Sequence, residues 1–180
     1  MYTSLFSFIS LVVLFKVILI LFNNKKATPL LKELINYYLH FLKEGDDGKL
    51  HLPATYSPEY DTVEDCNFDL ALLRWGCQTL LESAHRLNIQ DSLIETWKNV
   101  LLKLTPYPTD ENGLLIGKDM PYAFSHRHYS HLLAIYPLYL INKEQPNDIE
   151  MIEKSLSFWQ SKPTALLGYS CTGASSISSA

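Results

Sequence analysis

Charge is scarce in this chain, and so are cysteine and glycine. Of 180 residues only 19% are charged, and 15 Lys and Arg against 19 Asp and Glu leave a formal charge of −4. No basic surplus marks a nucleic-acid binder, and the two signs are mixed along the length. Three cysteines, Cys66, Cys77 and Cys171, cannot build a disulfide framework. No two stand at Cys-x-x-Cys spacing and at most one pair could form. The expectation is burial of all three as small apolar side chains. Seven Gly and nine Pro are too few for a collagenous or low-complexity chain. What is plentiful is apolar: 47% hydrophobic and 12% aromatic residues exclude a disordered tail. By length the chain is one domain or part of one.

The one long hydrophobic run, Leu5 to Phe22, is interrupted only by Ser7, Ser10 and Lys16. As a helix it would span about 27 Å, just short of a bilayer's hydrocarbon core. No Lys or Arg precedes it and no small-x-small cleavage site follows it, so it is a poor signal peptide. Residues 1–26 are therefore expected to be a hydrophobic leader or transmembrane segment, forming an N-terminal hydrophobic helix. Asn23-Asn24-Lys25-Lys26 would then mark a cytoplasmic side. A translated extension without a role and a buried core helix are the alternatives. If the segment does insert, the chain is a membrane or extracytoplasmic protein with a possible membrane partner through residues 5–22.

After Lys26 the pattern turns helical. Thr28 suits an N-cap and Pro29 the first helical position. Leu31, Ile35, Tyr38 and Leu42 repeat at helical spacing, with Leu30, Leu34 and Phe41 widening the face. Gly45 to Gly48 breaks this helix, and Leu50 to Asp61 looks extended around Pro53 and Pro58. A second helix is predicted from about Asp65 through Leu70, Leu73, Cys77, Leu80, Leu81, Ala84 and Leu87. Asp91 or Ser92 would cap a third, carried by Ile94, Trp97, Leu101 and Leu104. Asn112-Gly113 signals a turn joining two short strands. His128 to about Ile141 predicts a fourth helix, bent or ended near Pro137. A fifth opens at Pro146 and runs through Ile149, Ile152, Leu156 and Trp159. Gly168 to Ala180, rich in Ser, Gly and Ala, shows no element. The fold class is thus all-α, with long polar loops where binding residues tend to sit.

Two segments can carry chemistry. In Tyr56-Ser57-Pro58-Glu59-Tyr60 a carboxyl stands between two aromatic residues on a non-helical stretch. Partial desolvation would raise the pKa of Glu59, as a general acid needs. The bland alternative is a solvated loop glutamate. In Ser125-His126-Arg127-His128-Tyr129-Ser130-His131, half of the six histidines fall within six residues. Imidazoles flanking a guanidinium offer the directional donors and acceptors that sugar hydroxyls require. They also suit a metal, but no His-Glu-x-x-His spacing appears and further ligands would have to come from elsewhere. A structural hydrogen-bonded cluster explains the segment almost as well. Asp69, opening a helix, is best placed to complement the helix dipole.

These residues resemble glycoside hydrolase family 95, the inverting α-L-fucosidases and their relatives. Ser57-Pro58-Glu59 followed by Asn67-Phe68-Asp69 is one shared motif. His126-Arg127-His128-Tyr129-Ser130-His131-Leu132 with Tyr136-Pro137 is the other, and the more specific. The resemblance covers roughly residues 27 to 180. It implies an (α/α)6 barrel, Glu59 as the general acid, no cofactor and no metal, and a carbohydrate partner, terminal fucose or a similar sugar. The implied substrate-binding residues are His126, Arg127, His128 and His131, with Tyr56 and Tyr60 flanking the acid. The family commonly carries Asn where this chain has Tyr60, which bears on the sugar accepted. An inverting reaction needs a base about 6.5–9.5 Å from the acid. The family's base lies in an Asp-Gly-Asn-Phe segment, and the sequence has none. Twelve barrel helices also need several hundred residues, against about 150 here. Residues 27–180 are therefore expected to be a fragment of a glycosidase catalytic domain with little activity alone and with apolar faces left open. A non-catalytic membrane-anchored helical module is the runner-up, and a histidine-based metal hydrolase comes third.

Overall fold

The computed structural model describes residues 27–180. The expected leader, with its run from Leu5 to Phe22, lies outside the described residues. Among the described residues no helix is long and apolar enough to cross a membrane. The architecture is mostly helical: α1 (Ala27–Leu39), α2 (Asn67–Leu87), α3 (Ile94–Lys103), α4 (Ile149–Gln160) and α5 (Gly168–Ser179). The all-α expectation needs one amendment. Three antiparallel hairpins of two-residue strands tie the loops together: β1 (Lys43–Glu44) with β2 (Leu50–His51), β3 (Thr55–Tyr56) with β4 (Thr62–Val63), and β5 (Thr109–Asp110) with β6 (Gly113–Leu114). Pairs this short serve as loop clasps rather than a sheet layer.

The chain divides into two compact units. The first takes the described residues through Leu42 together with Leu73–Leu104. Its core is Leu31, Ile35, Leu73, Cys77, Leu80, Trp97 and Val100, all buried. Gly76 of α2 lies against the side chain of Ile35, leaving no room for a Cβ. Lys32 pairs with Asp91 at 2.6 Å, and the other oxygen of Asp91 accepts the Leu93 amide at 2.9 Å. That is an Asx turn ahead of α3 rather than the helix cap expected of Asp91 or Ser92; Leu93 stands at the cap position. The apolar face of α1 is narrower than its periodicity predicts. Leu30 and Leu34 of that face are exposed, as is Phe41 just beyond the helix.

The second unit is Lys43–Leu72 with Thr105–Ala180. Between Cys66 and Leu72 every residue but Phe68 is buried, so the first turns of α2 run through its core. Burying a leucine such as Leu70 is worth about 1.5–3 kcal/mol. Asn67 pins this helix start: its Nδ2 donates to the Pro108 and Leu115 carbonyls at 2.9 and 2.7 Å, and its amide donates to the Ile116 carbonyl. Asn112-Gly113 does join two short strands. Gly113 takes φ 112°, and a Cβ there would strike Ser155 of α4.

Two sequence expectations fail in this unit. His128 to Ile141 is not an α-helix; a 3-10 turn at Ser130–Leu132 leads into successive turns. Pro137 offers no amide and disfavours helical backbone at Tyr136, so it blocks continuation beyond that point; the turns before it follow from packing. Conversely, the Ser/Gly/Ala-rich tail is helical as α5. Ser170, Gly173, Ala174 and Ile177 recur at helical spacing and are buried. Gly173 meets the Tyr129 ring directly. Tertiary packing of a small-residue face overrides weak helix propensity. Cysteine burial holds for Cys66 and Cys77 but not for Cys171, which is exposed on α5. Burial pushes the Cys66 and Cys77 thiols up to about 12.

Candidate active site

Glu59 sits in the turn that joins β3 to β4. The Tyr60 amide closes this turn on the Ser57 carbonyl at 2.9 Å. Pro58 fixes the first central position, and Glu59 occupies the second with φ 56°. Turns with positive φ there favour Gly or Asn. A glutamate in left-handed backbone costs roughly 1–2 kcal/mol. Strain of this kind persists only where the surroundings hold it, and it clusters at functional sites.

What holds Glu59 is the histidine-rich segment, 68 residues further along. Arg127 grips the carboxylate through two nitrogens, Nε donating to Oε2 at 3.0 Å and Nη2 to Oε1 at 2.5 Å. His128 Nε2 lies 3.2 Å from Oε2. The Arg127 guanidinium holds the Glu59 carboxyl below its ordinary value, outweighing the opposite effect of partial burial, and His128 adds to the lowering. This corrects the raised pKa expected from the flanking tyrosines. Tyr56 is 61% exposed, and the Tyr60 ring turns to Phe124 instead. Burial lowers His128 despite the carboxylate beside it, and burial lowers His131 to about 3. His128 is therefore a neutral donor to an ionised carboxylate at neutral pH, rather than half of an ion pair.

The segment is braced from several sides. The Trp159 indole of α4 donates to the His126 carbonyl at 3.0 Å. His126 Nδ1 lies 2.9 Å from the His128 carbonyl, and the His126 amide donates to the Tyr122 hydroxyl at 2.8 Å. Ser170 of α5 donates to the Arg127 carbonyl at 2.8 Å. The Tyr169 ring stands edge-on to His128 at 5.8 Å. His131 is buried and stacks on Tyr122 at 5.1 Å. It makes none of the Glu59 contacts.

Among the six residues proposed to line the sugar site, then, Arg127 and His128 meet Glu59, and His126 and His131 lie packed behind them. Tyr60 builds the neighbouring aromatic wall. Tyr56 makes none of the cluster's hydrogen bonds or ring contacts among the described residues. Sequence reasoning missed Trp159, Tyr169 and Ser170 as supports. An aromatic inside the small-residue tail was the available hint for Tyr169. Asp69 is buried and accepts the Thr55 hydroxyl at 2.5 Å, so it fastens the β3–β4 hairpin in addition to favouring its helix start.

Among the described residues no group of three or more His, Cys, Asp or Glu side chains is arranged to hold a metal ion. A cleft of about 460 Å³ lined by Lys43, Asp47, His51, Ala54, Glu64 and Lys118 does not include the Glu59 cluster. There His51 Nδ1 contacts Asp65 at 2.7 Å and Nε2 contacts Asp47 at 3.1 Å, which raises the imidazole above its ordinary value.

The family described as the glycosyl hydrolase family 95 catalytic domain matches residues 21–172. No curated protein matches the chain.

Proposed function

Because this chain belongs to glycosyl hydrolase family 95 and so carries glycoside hydrolase catalytic-domain sequence, we propose that it derives from an enzyme that hydrolyses terminal α-L-fucosidic bonds with inversion. Its helices are then part of an (α/α)6 barrel, and Glu59 is the acid that protonates the leaving oxygen. Arg127 and His128 face the sugar, with His126 and His131 shaping the wall behind them.

One observation carries this reading. A single carboxylate on a strained turn is met by a guanidinium and a neutral imidazole from a distant, heavily braced segment. Such pre-organisation is what positions a proton donor against a substrate. The ionised state of Glu59 sets a condition. Arg127 must release the carboxylate before it can carry a proton near neutrality. A saccharide hydroxyl competing for the guanidinium would release it.

No second carboxylate joins Glu59 in this cluster among the described residues, and the sequence holds no Asp-Gly-Asn-Phe segment. We therefore expect the 180-residue chain to turn over a nitrophenyl α-L-fucoside very slowly or not at all. Turnover that Glu59→Gln abolishes would overturn the expected inactivity. Turnover that survives Glu59→Gln would remove Glu59 from its role.

A further inference from the structure

Phe124 is one of several large apolar residues exposed in the second unit. It is 52% exposed, yet it is not loosely held. Its ring lies parallel to that of Tyr60, with centroids 4.1 Å apart and planes within 4°. The Tyr60 hydroxyl accepts the Ala123 amide at 2.5 Å and the Phe124 amide at 3.3 Å. On the next residue, the Ser125 hydroxyl donates to the Lys162 carbonyl at 2.5 Å and accepts the Ala165 amide at 2.8 Å. The Phe124 backbone is therefore clamped on both sides. One ring face is covered by Tyr60, and about half of the residue remains open to solvent.

Tyr60 follows Glu59 directly, and Arg127, which grips that carboxylate, stands three residues after Phe124. A rigid aromatic face beside a carboxyl is the surface that the C–H face of a sugar ring packs against. Fixing it before binding spares the ordering entropy that a mobile side chain would lose. Scattered exposed apolar residues need no explanation, but a clamped and stacked one beside a catalytic candidate does.

We propose that the exposed face of Phe124, backed by Tyr60, is a stacking platform for the leaving saccharide ring, the one attached through the oxygen that Glu59 would protonate. The inference rests on the carbohydrate reading above and adds a subsite to it. Sugar selection then falls on the leaving side as well as on the terminal residue.

The test is an NMR titration of the full chain with two probes. Methyl α-L-fucoside reaches only the terminal-sugar site, whereas 2′-fucosyllactose adds further rings. The platform predicts that the longer probe binds about 3- to 10-fold more tightly, the scale of one aromatic stacking contact. Phe124→Ala should erase that difference and leave the methyl glycoside unchanged, and Phe124→Trp should restore it. Equal affinity of the wild type for the two probes would overturn the platform alone. So would a difference that survives Phe124→Ala. Binding of neither probe would overturn the carbohydrate reading and the platform with it.

Discussion

Trp159 is the point through which the fold holds the candidate site, so shortening it should loosen both. Its side chain is wholly buried, its ring meets Tyr129 edge-on at 5.6 Å, and its indole donates to the His126 carbonyl. In Trp159→Phe that hydrogen bond is lost. The carbonyl keeps only the Tyr122 hydroxyl, at 3.4 Å. Losing such a bond inside the protein costs about 1 kcal/mol. The smaller ring gives up roughly 40 Å² of buried apolar area, worth about 1 kcal/mol. A residual void of about 40 Å³ adds about another 1 kcal/mol. The expected total is about 3 kcal/mol. For a chain of this size that is about 6–12 °C in melting temperature. Urea unfolding followed by fluorescence and circular dichroism measures it, with Leu102→Ala as control. Leu102 is 79% exposed, and its truncation should change stability by less than about 0.5 kcal/mol. A Trp159→Phe loss no larger than that of the control would refute the bracing of the His126 segment by α4.

Further outcomes follow from named contacts. His51 is raised first by its hydrogen bond to Asp65, so its stabilising effect is complete below the ordinary value of 6.5 and fades as pH rises through the folded-state value. Unfolding free energy measured across that range should fall for the wild type and fall less for His51→Gln; identical slopes would contradict it. Glu59→Gly relieves left-handed strain and loses only a part-exposed ion pair, so the variant should be about as stable as the wild type or up to about 1 kcal/mol more stable. A loss above about 1 kcal/mol in thermal melts would show that the turn is not strained. Of the three thiols, Cys171 should react with a maleimide in the native state while Cys66 and Cys77 are protected until unfolding. Mass spectrometry of labelled peptides reads this out, and rapid labelling of Cys66 or Cys77 would contradict the core.

Much of the helical scaffold was legible in the sequence. The elements α1, α2, α3 and α4 announce themselves through apolar residues at helical spacing, and Gly113 announces its turn. The failures share a cause. Where the pattern is nearly all apolar, as from Leu132 to Ile135, periodicity cannot distinguish helix from buried turns. Where it is nearly all small, as in α5, the signal is shape rather than hydrophobicity. The small face of α5 becomes visible only in the packing, where Gly173 meets the Tyr129 ring.

The site was half legible. Family resemblance named Glu59 and the histidine-rich segment, and the fold brings Glu59, Arg127 and His128 into contact. Spacing alone could not join residues so far apart in the chain. Nor could it give the sign of the Glu59 shift, which depends on which neighbour turns inward. Tyr56 turns to solvent, Tyr60 stacks on Phe124, and the Arg127 guanidinium arrives from another loop.

Carboxyl titration of Glu59 by carbon-detected NMR, with and without methyl α-L-fucoside, tests the proposed acid most directly. The account predicts a value below the ordinary 4.5 in the free chain, and a rise when the sugar draws Arg127 away. An Arg127→Ala variant should show the raised value without sugar. A Glu59 carboxyl that titrates at its ordinary value in the free chain, or that stays unmoved when the sugar is bound, would contradict the account.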